Sequence, residues 1–119
     1  KKIVDLYNNK LIKLSPNIKL PKFEKFIKSS FHLYIIKIFK SKKINRDNLL
    51  LKLRKKGIFT NVHYLPVHLQ PYFKKFGFSK GLFPNSEKYG EEALSIPIFP
   101  NLTKKQQFFI INEISKNLI

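Results

Sequence analysis

Two prolines, Pro66 and Pro71, constrain this chain more tightly than any other feature. They brace the stretch Val62-His63-Tyr64-Leu65-Pro66-Val67-His68-Leu69-Gln70-Pro71-Tyr72-Phe73. Each locks its own φ and pushes the residue before it toward extended geometry, so the stretch reads as an ordered loop. The loop gathers two of the chain's three histidines with two tyrosines and a glutamine. Polar groups clustered on a rigid loop usually meet a ligand or another surface. A histidine can donate to a phosphate or sugar oxygen, while Tyr and Gln orient hydroxyls. The competing reading is that His63 and Tyr64 merely end a strand as half-buried, satisfied residues. For either residue alone that reading is the stronger. For His63, Tyr64, His68, Gln70 and Tyr72 together, a ligand-facing loop is expected.

Further prolines punctuate the segments around this loop. Ile3, Leu6, Tyr7, Leu11 and Leu14 recur at helical spacing, and Pro16 stops that helix. Pro21 and Lys22-Phe23-Glu24-Lys25 predict an extended connector. His32 to Phe39 is β-branched and aromatic on both faces, which predicts a largely covered strand with His32 and Tyr34 in the core or an interface. Asn45 is a candidate N-cap for a helix from Arg46 to Lys56, with Leu49, Leu50 and Leu53 buried and Gly57 following its end. Ile58 to His63 predicts a second strand that delivers the loop, and Leu69 to Phe76 a short helix closed by Gly77. Phe83-Pro84-Asn85-Ser86 opens another helix through Ala93, with Glu87, Glu91 and Glu92 as an acidic face of solvated or capping residues. Leu94 to Phe99 predicts a short strand whose Pro97 marks an edge or an end. Thr103 with Gln106 predicts a capping box for a last helix that buries Phe108, Ile111, Ile114 and Leu118. Strands separated by helices, without a Gly-rich phosphate loop, give an α/β two-layer domain with a small sheet.

At 119 residues and 43% hydrophobic content, the chain suffices for one domain with a packed core. A net charge of +17 raises the alternative of a small lysine-rich nucleic-acid-binding module. Against it, Arg46 and Arg54 are the only arginines, and the lysines spread along the chain without forming a stripe. Specific nucleic-acid binding is therefore not expected. The absence of cysteine excludes disulfides and thiolate sites, and it fits a reducing, cytoplasmic setting. No apolar run approaches the roughly 20 residues that span a bilayer, so no membrane partner is expected. The chain lacks an initial Met and starts within a helix pattern, which suggests the tail of something longer.

Recognisable reaction chemistry is sparse. His63 and His68 are poorly spaced for one metal, and no acidic or cysteine ligand sits beside them. No G-x-S-x-G elbow occurs, and the carboxylates show no catalytic pairing. No metal site and no catalytic residue are expected within these residues.

Several segments nevertheless occur together in a distinctive order: Ser29-Ser30-Phe31-His32-Leu33-Tyr34, Arg46 with the helix to Gly57-Ile58, and the Val62–Tyr72 loop. Gly77-Phe78, Phe83-Pro84-Asn85-Ser86-Glu87-Lys88-Tyr89, Ala93 to Pro100, and Leu102-Thr103 with Gln106-Gln107 follow. In that order they resemble the carboxy-terminal small domain of the DegT family of pyridoxal-phosphate-dependent nucleotide-sugar aminotransferases. The His-Leu-Gln-Pro-Tyr version of the loop most resembles the branch that makes UDP-4-amino-4,6-dideoxy-N-acetyl-altrosamine for pseudaminic acid. The resemblance implies a two-layer small domain of a fold-type-I aminotransferase, with a small, mostly antiparallel sheet packed with helices. It implies that residues 1–15 end an inter-domain helix and residues 16–119 form the small domain. It further implies glutamate as amino donor, a keto sugar on a nucleotide as acceptor, and a homodimer in the full-length enzyme. The position matching His68 lies beside the substrate in the family, with Tyr64 accompanying it. His63, Gln70 and Tyr72 fall near the sugar nucleotide or support it. The family's Schiff-base lysine and cofactor-phosphate residues belong to a large domain upstream of Lys1, so the chain by itself is expected to be inactive.

Overall fold

A computed structural model describes residues 1–119 except Lys25, Lys40, Lys42 and Lys43. Lys25, the last residue of the expected connector, thus lies outside the described residues. The described elements run α1 (Lys2–Leu11), β1 (Ile18–Lys19), β2 (Tyr34–Ile38), α2 (Arg46–Lys55), α3 (Pro71–Lys74), α4 (Pro84–Glu92), β3 (Ala93–Ile96) and α5 (Lys104–Leu118). Short 3-10 turns follow α1 at Ile12–Leu14 and precede α3 at Val67–Leu69. The sheet is antiparallel in the order β1-β2-β3, with Ile18 opposite Ile38 and Tyr34 opposite Ile96. It is the small α/β arrangement expected from the sequence.

Strand alternation decides the two faces of the sheet. Tyr34, Ile36 and Ile38 of β2 and Leu94 and Ile96 of β3 enter one core. Val4, Tyr7 and Leu11 of α1, Leu49 and Leu53 of α2, and Ile110, Ile111 and Ile114 of α5 meet them there. Residues 1–15 therefore contribute to the same core as the rest of the chain. On the opposite face Lys37 lays its Nζ 4.9 Å from the ring centroid of Tyr89 on α4. Two buried phenols brace α1: Tyr7 Oη donates to Pro97 O at 2.8 Å and Tyr34 Oη to Asn8 Oδ1 at 2.6 Å. Burial pushes both phenols well above the ordinary tyrosine value.

Local signals place the helix ends. Asn45 Oδ1 accepts from Asn48 N at 2.8 Å, and Gly57 takes φ +75° just beyond α2, where a Cβ would be strained. Thr103 and Gln106 form the complete capping box of α5. Several expectations change. Phe108 is exposed, because Gln107 falls at the i, i+4, i+7, i+11 spacing with the buried Ile111, Ile114 and Leu118, and its amide donates to Ile3 O. His32 is exposed, since β2 begins at Tyr34.

The expected strand over 58–63 shrinks to a single bridge, Asn61 opposite Ser95. Its neighbours explain the stop. The next pair on one side would need an N–H from Pro97, which has none. On the other side Ala93 N donates to Tyr89 O at the end of α4, and Ala93 O accepts from Arg46 Nη1 at 2.9 Å. Both backbone groups of Ala93 are thus engaged, and Arg46 is buried as a result.

Thr60 is buried beside this bridge, with a hydroxyl that has no partner among the described residues. Leaving a buried hydroxyl unsatisfied is unfavourable. Thr60→Val is expected to raise unfolding stability by about 1 kcal/mol in urea titrations, whereas a loss of similar size would mean the hydroxyl is satisfied.

Candidate functional site

The loop from Val62 to Phe73 is tied down at three points. Asn61 and Ser95 exchange backbone hydrogen bonds of 3.1 and 2.9 Å at its start. Ser95 Oγ also donates to Asn61 O and lies 2.8 Å from His63 Nε2. In mid-loop, Pro66 packs on α4 at Gly90, where an added Cβ would come within 2.9 Å of the proline ring. A residue larger than glycine there would push the loop off the helix. At its far end the 3-10 turn closes with Leu69 N to Pro66 O at 2.9 Å and Gln70 N to Val67 O at 3.0 Å. Gln70 O then accepts from Phe73 N and Lys74 N, which starts α3. The His63–Tyr64 peptide is cis.

These ties sort the expected site residues into an inner and an outer set. His63 is half-buried against Ser95, and its ring meets Tyr64 edge to face at 4.9 Å. Tyr64 is 70% exposed and Tyr72 63% exposed. Tyr72 packs edge-on with Phe73 and Phe76, both at 5.3 Å, and Gln70 is exposed. His68 turns the other way. It is 7% exposed, its Nε2 lies 2.9 Å from Glu87 Oε1, and its ring meets Phe83 at 4.8 Å. The structure therefore brings His63 and Tyr64 together and sets Gln70 and Tyr72 outward on the next turn, while His68 anchors the loop from beneath. A cavity of about 300 Å³ opens behind the loop between Arg46, Leu65, Leu69 and Lys80. None of the expected site residues lines it.

Glu87, expected as a solvated or capping residue, is 7% exposed, and its burial against His68 is what the sequence reading missed. Its carboxylate accepts from Gly81 N at 2.8 Å and Phe83 N at 3.3 Å in addition to His68. One signal for it was available: Glu87 and Gly90 share a helix face, and a mid-helix glycine often marks a close approach. Glu91 does face outward, 3.0 Å from Lys80, whereas Glu92 is half-buried with Lys88 at 4.0 Å. Among the described residues Lys37 is half-buried and every other lysine is exposed, and no group of three His, Cys, Asp or Glu could hold a metal ion.

Burial pushes the Glu87 carboxyl up, but the hydrogen bonds from His68, Gly81 and Phe83 outweigh it and hold the group below its ordinary value of 4.5. The folded carboxylate is thus the stronger acid. Its stabilisation is complete above about pH 4.5 and is lost as pH falls through the folded value. The stability gap between the wild type and Glu87→Gln should narrow as pH drops below about 4.5 in denaturant titrations. A gap that widens there would reverse the assigned sign. Glu113, held low by Lys116 against the effect of burial, acts in the same direction and cancels in this comparison.

With this geometry in hand, known proteins identify the chain's kin. It is 37% identical over 116 residues to the protein MJ1066 of Methanocaldococcus jannaschii, across 96% of this chain and 30% of that protein. The structure superposes on S. venezuelae DesV in complex with a ketimine intermediate with a TM-score of 0.86 at 29% identity, covering 98% of this chain and 30% of DesV. It also superposes on Helicobacter pylori PseC, an aminotransferase of pseudaminic acid biosynthesis, with a TM-score of 0.81 over 98% of this chain and 31% of PseC. At 23% identity that likeness is one of fold. The chain spans about a third of the length of these proteins. The model of the DegT/DnrJ/EryC1/StrS aminotransferase family matches residues 1–115. The chain belongs to that aminotransferase family.

Proposed function

We propose that the chain is the small domain of an aminotransferase that converts a UDP-linked 4-keto-6-deoxy amino sugar to its 4-amino form, with glutamate as donor. The observation that carries this reading is the family match over residues 1–115. The His-Leu-Gln-Pro-Tyr loop and the likeness to PseC favour the pseudaminic acid branch. The full enzyme is proposed to act in the cytoplasm as a homodimer. No described helix is long and apolar enough to cross a membrane. The lysine-rich charge that suggested a nucleic-acid module here serves instead to attract the diphosphate of the substrate.

Aminotransferases homologous to this chain bind pyridoxal phosphate, which would supply the carrier of the amino group and an electron sink. A lysine that holds this group must be desolvated beside it. The described residues do not fit such a cradle, because their lysines are exposed apart from the half-buried Lys37 over Tyr89. Their two buried carboxylates, Glu87 and Glu113, already bond to groups of this chain. In the reading proposed here, as the resemblance implies, a large domain holds the cofactor, residues 1–15 lead into the small domain, and this chain is inactive without that domain.

The work of this chain is binding and orientation. Tyr64, with His63 behind it, presents an aromatic face and a hydroxyl to the sugar nucleotide. Gln70 and Tyr72 extend that wall along the start of α3. His68 supports the wall from within, so its part in substrate binding is indirect. In the full-length enzyme, Tyr64→Ala should slow amino transfer to the nucleotide sugar about tenfold and leave transfer from glutamate within twofold, the size expected for one lost aromatic contact. Single-turnover kinetics of each half-reaction would check this. Equal losses in both would remove Tyr64 from the sugar side.

A further inference from the structure

Glu87 accepts more hydrogen bonds than any solvated helix carboxylate needs. His68 Nε2 and Phe83 N reach Oε1, and Gly81 N reaches both oxygens at 2.8 and 3.0 Å. It is 7% exposed and borders the cavity behind the loop, and both of its carboxylate oxygens already accept from groups of this chain. Its partners come from two segments, the 3-10 turn of the loop and the turn immediately before α4. Three residues along α4, Gly90 admits Pro66, so one face of the helix grips the loop at two places. The charged groups around Glu87 are otherwise engaged: Lys80 bonds to Glu91, and Arg46 to Asp47 and Ala93 O.

We propose that Glu87 is a positioning residue: through His68 and the 81–83 turn it holds the loop in the shape that presents Tyr64 and Tyr72 outward. An ionised carboxylate only accepts hydrogen bonds, so Nε2 of His68 must carry a proton. Glu87 thereby imposes one tautomer on the neutral ring, which fixes the ring and the turn that bears it. The part of this inference that concerns substrate rests on the function proposed above for the loop.

Two measurements test it. In long-range proton–nitrogen NMR spectra of the chain at alkaline pH, His68 should show its proton on Nε2. Glu87→Gln should mix or shift that pattern and move the amide signals of residues 62–72. In the full-length enzyme, Glu87→Gln should raise KM for the nucleotide sugar about tenfold, the size of one lost charge-assisted hydrogen bond, with KM for glutamate unchanged. Wild-type spectra with the proton on Nδ1 overturn the proposal even if the variant does not fold. So does a variant that loses stability while its loop amides stay in place, or one that changes both KM values alike. If the NMR results are as expected but the wild-type enzyme transfers no amino group to any nucleotide sugar, the clasp stands and the functional reading fails.

Discussion

The paired hydrogen bonds between Asn61 and Ser95 join the functional loop to the sheet, and the geometry of the site depends on them. They tie the residue just before the loop to a fully buried strand. Ser95 serves both sides of this junction, with its backbone in the bridge and its hydroxyl between Asn61 and His63. The junction is confined to one residue pair because Pro97 cannot donate and Ala93 is taken by Tyr89 and Arg46. A longer ladder would have drawn His63 into the sheet. Ending it early frees the chain to turn over α4, where Gly90 and Glu87 receive it.

The result is a loop satisfied on its inner side and open on its outer side. Buried polar groups seek partners within the fold, and here His63 and His68 find theirs in Ser95 and Glu87. Tyr64 and Tyr72 have no such demand and remain exposed. Large aromatic side chains held outward on a braced loop suit recognition, since little ordering remains to be done when a ligand arrives. In the reading proposed above, the buried histidine serves the site by supporting it, in place of the direct contact that the resemblance implied.

Much of the fold was legible because its signals are local. Asn45 and Gly57 bracket α2, Thr103 and Gln106 open α5, and the β-branched run around Ile36 forms the central strand. What escaped depends on long-range contacts. Nothing near Ile58–His63 reveals that Pro97 and Arg46 will cut its pairing short. Glu87 looks like its neighbours Glu91 and Glu92 until the turn at Gly81 folds over it. Phe108 outranks Gln107 in hydrophobicity, yet the helical period buries Gln107, which finds Ile3 O across the core. The cofactor chemistry was not legible as residues at all. It entered through resemblance alone.

The most direct test is a crystal structure of the full-length enzyme with its nucleotide sugar bound. The sugar nucleotide should contact Tyr64 on the outer face of the loop while His68 keeps its bond to Glu87 beneath. A sugar nucleotide bound away from this loop, or His68 swung out to meet it with Glu87 released, would contradict the account.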